Sequence, residues 1–166
     1  MTGIIIDPRT ATVDRYARTD VFVAPGEVAS PWVPFIENVY IRHLSFDVRN
    51  NSFTNILRVD SGGKLGRHRH RGPVSGLCLE GTWRYLEYDW VAAPGAYVHE
   101  YPGAIHTLVC ENPTGMRTLF WMNGSLEFYS DDSDEIVDIL DVFWFIQHYT
   151  SYCEANGIQI DESMFL

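Results

Sequence analysis

Three histidines carry the chemistry that this sequence offers. His68 and His70 are one residue apart in the stretch Gly62-Gly63-Lys64-Leu65-Gly66-Arg67-His68-Arg69-His70. Side chains alternate faces along a strand, so if the stretch is extended both rings point the same way and can meet a single metal ion. A third ligand must then arrive from another strand, and His106, in Tyr101-Pro102-Gly103-Ala104-Ile105-His106, is the candidate. Three neutral imidazoles suit iron, zinc, copper, nickel or manganese, so ligand type alone does not choose the metal. Gathered on one side of the coordination sphere they leave positions open, which favours catalysis over a closed structural site. His43, His99 and His148 are read as ordinary hydrogen-bonded histidines, His148 lying late in a C-terminal helix.

A centre of this kind needs a group to handle the substrate's proton. Glu100 is the first candidate, because it shares a face with Val98 on the strand that leads into His106. If that face is the interior, the carboxyl is buried and should titrate high. Glu87 is the second, on the face of Trp83 and Tyr85. The plainer reading of both is a rim carboxylate paired with Arg84 or Arg117. Trp83, Tyr85, Phe120 and Trp121 are read as core aromatics. Arg67, Arg69 and Arg71 alternate with the histidines and are expected to face solvent.

The elements that must position these residues read as short strands. Runs at 39–48, 53–59, 74–79, 82–88, 97–101, 105–110 and 117–122 alternate or are rich in β-branched and aromatic residues. Asn50-Asn51-Ser52, Asp60-Ser61-Gly62-Gly63, Glu80-Gly81, Ala93-Pro94-Gly95 and Pro102-Gly103 punctuate them. Close spacing with glycine-bearing turns predicts an antiparallel sandwich or barrel. Residues 1–35 read as a partly extended arm, in which Pro31 and Pro34 exclude a central strand. After Ser130 the character changes. Asp131-Asp132-Ser133-Asp134-Glu135 looks like a helix start, Ile136, Ile139, Leu140, Phe143 and Ile146 follow at helical spacing, and Asn156-Gly157 looks like the stop. This predicts one helix over about 133–156, after a barrel over about 36–130, in a single domain spanning 1–166.

At 166 residues the chain is long enough for one substantial core. Its net charge of -10 argues against nucleic acid as a partner. Cys78, Cys110 and Cys153 form an odd, widely spaced set without a CxxC pair, as expected of free thiols in a reducing cytoplasm. No signal peptide is expected, and no apolar run is long enough for a membrane span.

The histidines and glycines resemble the cupin superfamily, small β-barrels whose first motif is G(X)5HXH(X)3-4E(X)6G. Gly62, His68, His70 and Gly81 match it. Of the second motif, G(X)5PXG(X)2H(X)3N, Gly95, Gly103 and His106 are present. The first motif's glutamate position falls on Val74 or Ser75, Tyr101 takes the second motif's proline position, and Cys110 replaces its asparagine. The stretches 68–74, 81–87 and 102–108 further resemble the 2,4'-dihydroxyacetophenone dioxygenases.

That resemblance implies a mainly β, cupin-type antiparallel barrel (jelly roll) with a C-terminal α-helix. It implies His68, His70 and His106 as ligands of Fe(II), with zinc, nickel or manganese as alternatives. The implied reaction is cleavage, by O2, of the bond between two oxygenated carbons of an aryl hydroxyketone or a diketone. Homodimers are common in the superfamily, so a homo-oligomer is expected. The competing readings are a non-catalytic metal-binding cupin acting as a sensor or regulatory module, and a metal-free sugar-binding or structural barrel.

Overall fold

The computed structural model describes Arg15, residues 20–24 and residues 30–166. Most of the arm expected over 1–35 lies outside the described residues. Its end forms an edge strand, β1 (Val33–Ile36), which carries Pro34 where no inner ladder needs the missing N–H.

β2 (Val39–Asp47) and β3 (Ser52–Val59) follow as a hairpin. After β4 (Lys64–His70) and β5 (Val74–Gly81) comes a two-residue β6 (Arg84–Tyr85). The series continues through β7 (Tyr97–Glu100), β8 (Ile105–Val109), β9 (Met116–Asn123), β10 (Leu126–Tyr129) and β11 (Ile136–Leu140). They form two sheets, one of six strands in the order β1-β2-β3-β9-β5-β7 and one of five in the order β11-β10-β4-β8-β6. All named pairings are antiparallel. This is the expected jelly roll.

Alternation builds the core between the sheets. On β3, Phe53, Asn55, Leu57 and Val59 are buried while their neighbours are half-exposed. Gly81 takes φ 67, and a side chain there would overlap the Gly115 carbonyl oxygen, so this motif position excludes other residues.

The expected helix over 133–156 is corrected. Ile136–Leu140 is strand β11, an edge pairing with β10, and helix α1 runs Val142–Asn156. Ile136, Val137 and Ile139 are β-branched, which suits an edge strand better than a helix start. The true N-cap is Asp141, whose carboxylate accepts from the Phe143 and Trp144 N–H groups. Gly157 closes the helix in the left-handed conformation, as Asn156-Gly157 predicted. Val142, Phe145, Tyr149 and Cys153 bury one stripe of α1 over one end of the sandwich. The three cysteines are free and buried. Among the described residues no helix is long and apolar enough to cross a membrane.

Candidate metal centre

The three histidines converge. His68 and His70 stand on β4, His106 on β8, and His68 is the direct cross-strand partner of His106. All three are buried, and one ring nitrogen from each lies within 4.8 Å of the others. The register that achieves this depends on an irregularity. Between Leu65 and His68 the β4–β8 ladder slips, so that Gly66 and Arg67 form a bulge. The slip puts Leu65, His68 and His70 on one inward face, although Leu65 and His68 are three residues apart. Simple alternation would have sent one of them outward.

The bulge also orients His68. The Gly66 carbonyl oxygen lies 2.7 Å from Nδ1 of His68. A carbonyl only accepts, so Nδ1 carries the proton and Nε2 keeps its lone pair for a metal. Behind β8, the Gly103 N–H donates to the His70 carbonyl oxygen at 3.0 Å, tying the turn before His106 to the strand of the other two histidines.

Glu100 comes to the same place from the other sheet. Its Oε2 lies 3.2 Å from Nε2 of His70 and 3.3 Å from Nε2 of His106. Its Oε1 accepts a hydrogen bond from the Tyr85 hydroxyl at 2.5 Å. The Tyr85 ring lies flat on the imidazole of His106, centroids 3.8 Å apart and planes 6° from parallel. Tyr85 is thus part of the site and not simply core, as its sequence context suggested. Glu87 is elsewhere: β6 ends at Tyr85, and the Glu87 carboxylate accepts from the Thr107 N–H in the following turn.

Burial sets the charge states. It holds the imidazole of His68 well below its ordinary value, with the neighbouring His70 and His106 adding to the effect. It pushes His70 down to about 4, against the opposing pull of Glu100. Both rings are therefore neutral at pH 7, the state in which imidazole binds metal. Glu100 departs from expectation. Burial raises its pKa, but the nearby imidazoles of His106 and His70 and the hydrogen bond from the Tyr85 hydroxyl together outweigh that and leave it below the ordinary value. The acid is ionised, not held protonated.

Glu100 Oε2, His106 Nε2 and His70 Nδ1 are buried without a hydrogen-bond partner. Unpaired buried polar atoms are costly, and three in one cluster of imidazoles and a carboxylate fit a cation seated among them. Beside them is a narrow interior cavity of about 40 Å³, taken as the space open to the centre of a water molecule. That is room for a group about the size of three water molecules. Apart from the site residues its walls are mostly apolar, among them Leu57, Leu108, Phe120, Met122 and Phe128.

The outward face of β4 is less solvated than expected. Arg69 donates to Glu127 at 2.9 and 2.5 Å, and Arg71 donates to the other oxygen of Glu127 at 2.5 Å. Glu127, on β10, is only 6% exposed, so the two arginines clamp the ligand strand to its neighbour. His43, by contrast, is bonded to His148 on α1 at 3.0 Å.

Comparison with known proteins places this geometry. A family model described as the ChrR cupin-like domain matches residues 19–127. No curated protein matches the chain. Among solved structures, an RmlC-like cupin protein from Ralstonia eutropha JMP134 is 27% identical, with 85% of this chain and 94% of that one covered and a TM-score of 0.76. A second protein from that organism, of unknown function and cupin-like fold, is 17% identical, with coverage of 88% and 94% and a TM-score of 0.74. An acetylacetone dioxygenase from Acinetobacter johnsonii is 18% identical, with coverage of 82% and 97% and a TM-score of 0.67. The last two likenesses are likenesses of fold.

Proposed function

The chain belongs to the ChrR cupin-like domain family, and we propose that it is an Fe(II)-dependent dioxygenase that cleaves a carbon–carbon bond of an aryl hydroxyketone or a diketone with O2. The observation that carries this reading is the meeting of three buried imidazoles with an ionised, partly unpaired carboxylate beside an apolar cavity. The solved acetylacetone dioxygenase of the same fold supports it.

His68, His70 and His106 would hold the ion. When bound, iron supplies Lewis acidity toward the ketone oxygens and the electrons that let dioxygen react. Glu100 Oε2 is placed to take the proton that a hydroxyketone or diketone gives up as it becomes an enolate-like anion. Tyr85 holds Oε1, which leaves Oε2 as the basic atom and fixes its direction. The apolar walls exclude water, which would compete for that proton and weaken every charge interaction in the site. The balance for a hydroxyketone is simple: one O2 adds, one C–C bond breaks, and two carboxylic acids leave with both oxygen atoms.

A second reading has one observation in its favour, the family model's description as a ChrR cupin-like domain. In it the same centre holds zinc in a regulatory module and turns nothing over. Elemental analysis followed by oxygen-electrode assays with aryl hydroxyketones and diketones separates the two. Uptake of O2 by iron-loaded protein, lost in His106→Ala, supports the oxygenase. Tight zinc with no uptake on any member of the class supports the regulatory module.

A further inference from the structure

The two ends of the interior cavity are closed by unequal walls. At the α1 end stand Phe35, Leu140 and Phe145, backed by further aromatic packing in which Phe145 stacks on Phe53 at 4.2 Å. At the other end stand Tyr85 and Glu100, with His106 beside them. Directly beyond, between the last strands of the two sheets (β6 and β7), lies a cleft of about 380 Å³ by the same measure, and Tyr85, Glu100 and His106 form its floor.

Most of the remaining lining of this cleft is aromatic. Tyr88 and Trp90 stack with planes 15° apart and centroids at 5.7 Å. Trp90 meets the Tyr85 ring edge-on at 5.5 Å. Tyr97 and Tyr101 complete the rim, 63% and 76% exposed, and Trp90 and Tyr88 are 38% and 41% exposed. Four large rings left in water around one concavity mark a recognition surface and not an ordinary core margin. The volume is that of a small-molecule site. Glu100 at the floor, with Glu87 and Asp89 in the nearby loop, disfavours an anion.

We propose that this cleft is the subsite for the aromatic ring of an uncharged aryl ketone, and that Tyr88 and Trp90 select aryl over aliphatic substrates. The inference rests on the oxygenase reading for what happens at the floor, where the ketone end meets His106 and Glu100. Ring faces in the cleft offer stacking, and the hydroxyls of Tyr88 and Tyr101 offer hydrogen bonds to a phenol. The Tyr85–Glu100 hydrogen bond bridges the two sheet edges at the floor of the cleft.

The test uses metal-free protein labelled with 5-fluorotryptophan, the Trp90 resonance being assigned through Trp90→Phe, and 4'-hydroxyacetophenone as the probe. Titration is expected to move the Trp90 resonance saturably while those of Trp32 and Trp144 stay fixed. Tyr88→Ala is expected to weaken binding up to about tenfold. A fixed Trp90 resonance overturns the proposal. A Trp90 resonance that moves with protein concentration alone identifies a self-association surface and overturns it as well. Because the titration needs neither metal nor turnover, its result is separate from the fate of the oxygenase reading. In iron-loaded protein, Trp90→Ala is expected to lower the ratio of kcat/KM for an aryl hydroxyketone to that for acetylacetone about tenfold. An unchanged ratio counts against the subsite even if both activities fall.

Discussion

Glu100 faces Val74 in register across the β5–β7 ladder. Val74 is, with Ser75, one of the two positions where the first cupin motif would carry its glutamate, and the only buried acid among the groups lining the interior cavity comes instead from the strand next to it. The carboxylate has moved one strand, about 5 Å, yet still brings Oε2 to 3.2 Å from His70.

That displacement predicts a base and not a required ligand. Glu100→Gln keeps the shape and removes the basic atom, so kcat is expected to fall about 10²-fold or more, with iron content by elemental analysis unchanged. Loss of the iron along with activity would instead make Oε2 a ligand and overturn its assignment as the base.

Tyr85→Phe separates ring from hydroxyl. The ring remains stacked on His106, so metal content and fold are expected to survive, whereas Glu100 loses the donor that fixes its direction. We expect kcat to fall about tenfold with KM nearly unchanged. Steady-state kinetics on the two variants and their double mutant check it: effects on a shared step are expected to be less than additive.

The three converging histidines were legible because an HxH pair beside glycines and a GxxH segment leave few other purposes, and Glu100 was legible from alternation with Val98. The fold followed from turn residues at close spacing. Tyr85 was not legible, since a tyrosine on a short strand looks like core until a strand of the other sheet brings Glu100 to its hydroxyl. The bulge at Gly66 and Arg67 was hidden because a glycine-rich stretch reads equally as a turn. The start of α1 was misplaced because Ile136, Ile139 and Leu140 satisfy helical spacing, while the edge pairing with β10 that makes them a strand is not local. Non-local pairing decided each miss.

Glu127 predicts a structural cost that reaches the centre. Burial raises its pKa, but hydrogen bonds from Arg71 and Arg69 and their charges outweigh this and hold it below the ordinary value. Glu127→Ala frees both arginines, which reach water from 22% and 52% exposed side chains, and breaks the clamp between β4 and β10. A loss of about 1–3 kcal/mol in urea unfolding is expected, with weaker metal retention on dialysis. Unchanged stability would show that the clamp contributes nothing beyond surface pairing.

The pair His43–His148 predicts how stability depends on pH. His148 Nε2 lies 2.9 Å from the Pro34 carbonyl oxygen, which can only accept, so this nitrogen carries the proton. Its Nδ1 then accepts from His43 Nε2–H at 3.0 Å, and His43 Nδ1 is left bare, buried and without a partner. Burial, then the charge of His148, holds His43 well below its usual value, and burial lowers His148 against the pull of the Pro34 carbonyl. In the unfolded chain both rings take up a proton near pH 6.5, whereas the folded state resists until lower pH. Their contribution to stability is therefore complete above about pH 6.5 and is lost as pH falls through the folded values, by up to about 1.4 kcal/mol per pH unit for each ring. Urea unfolding at pH 7.5, 6.5 and 5.5 measures the slope. His43→Phe fills the same space with a ring that binds no proton, so the slope below pH 6.5 is expected to be shallower by about one site. An identical slope in the variant would mean that His43 titrates alike in the folded and unfolded chains.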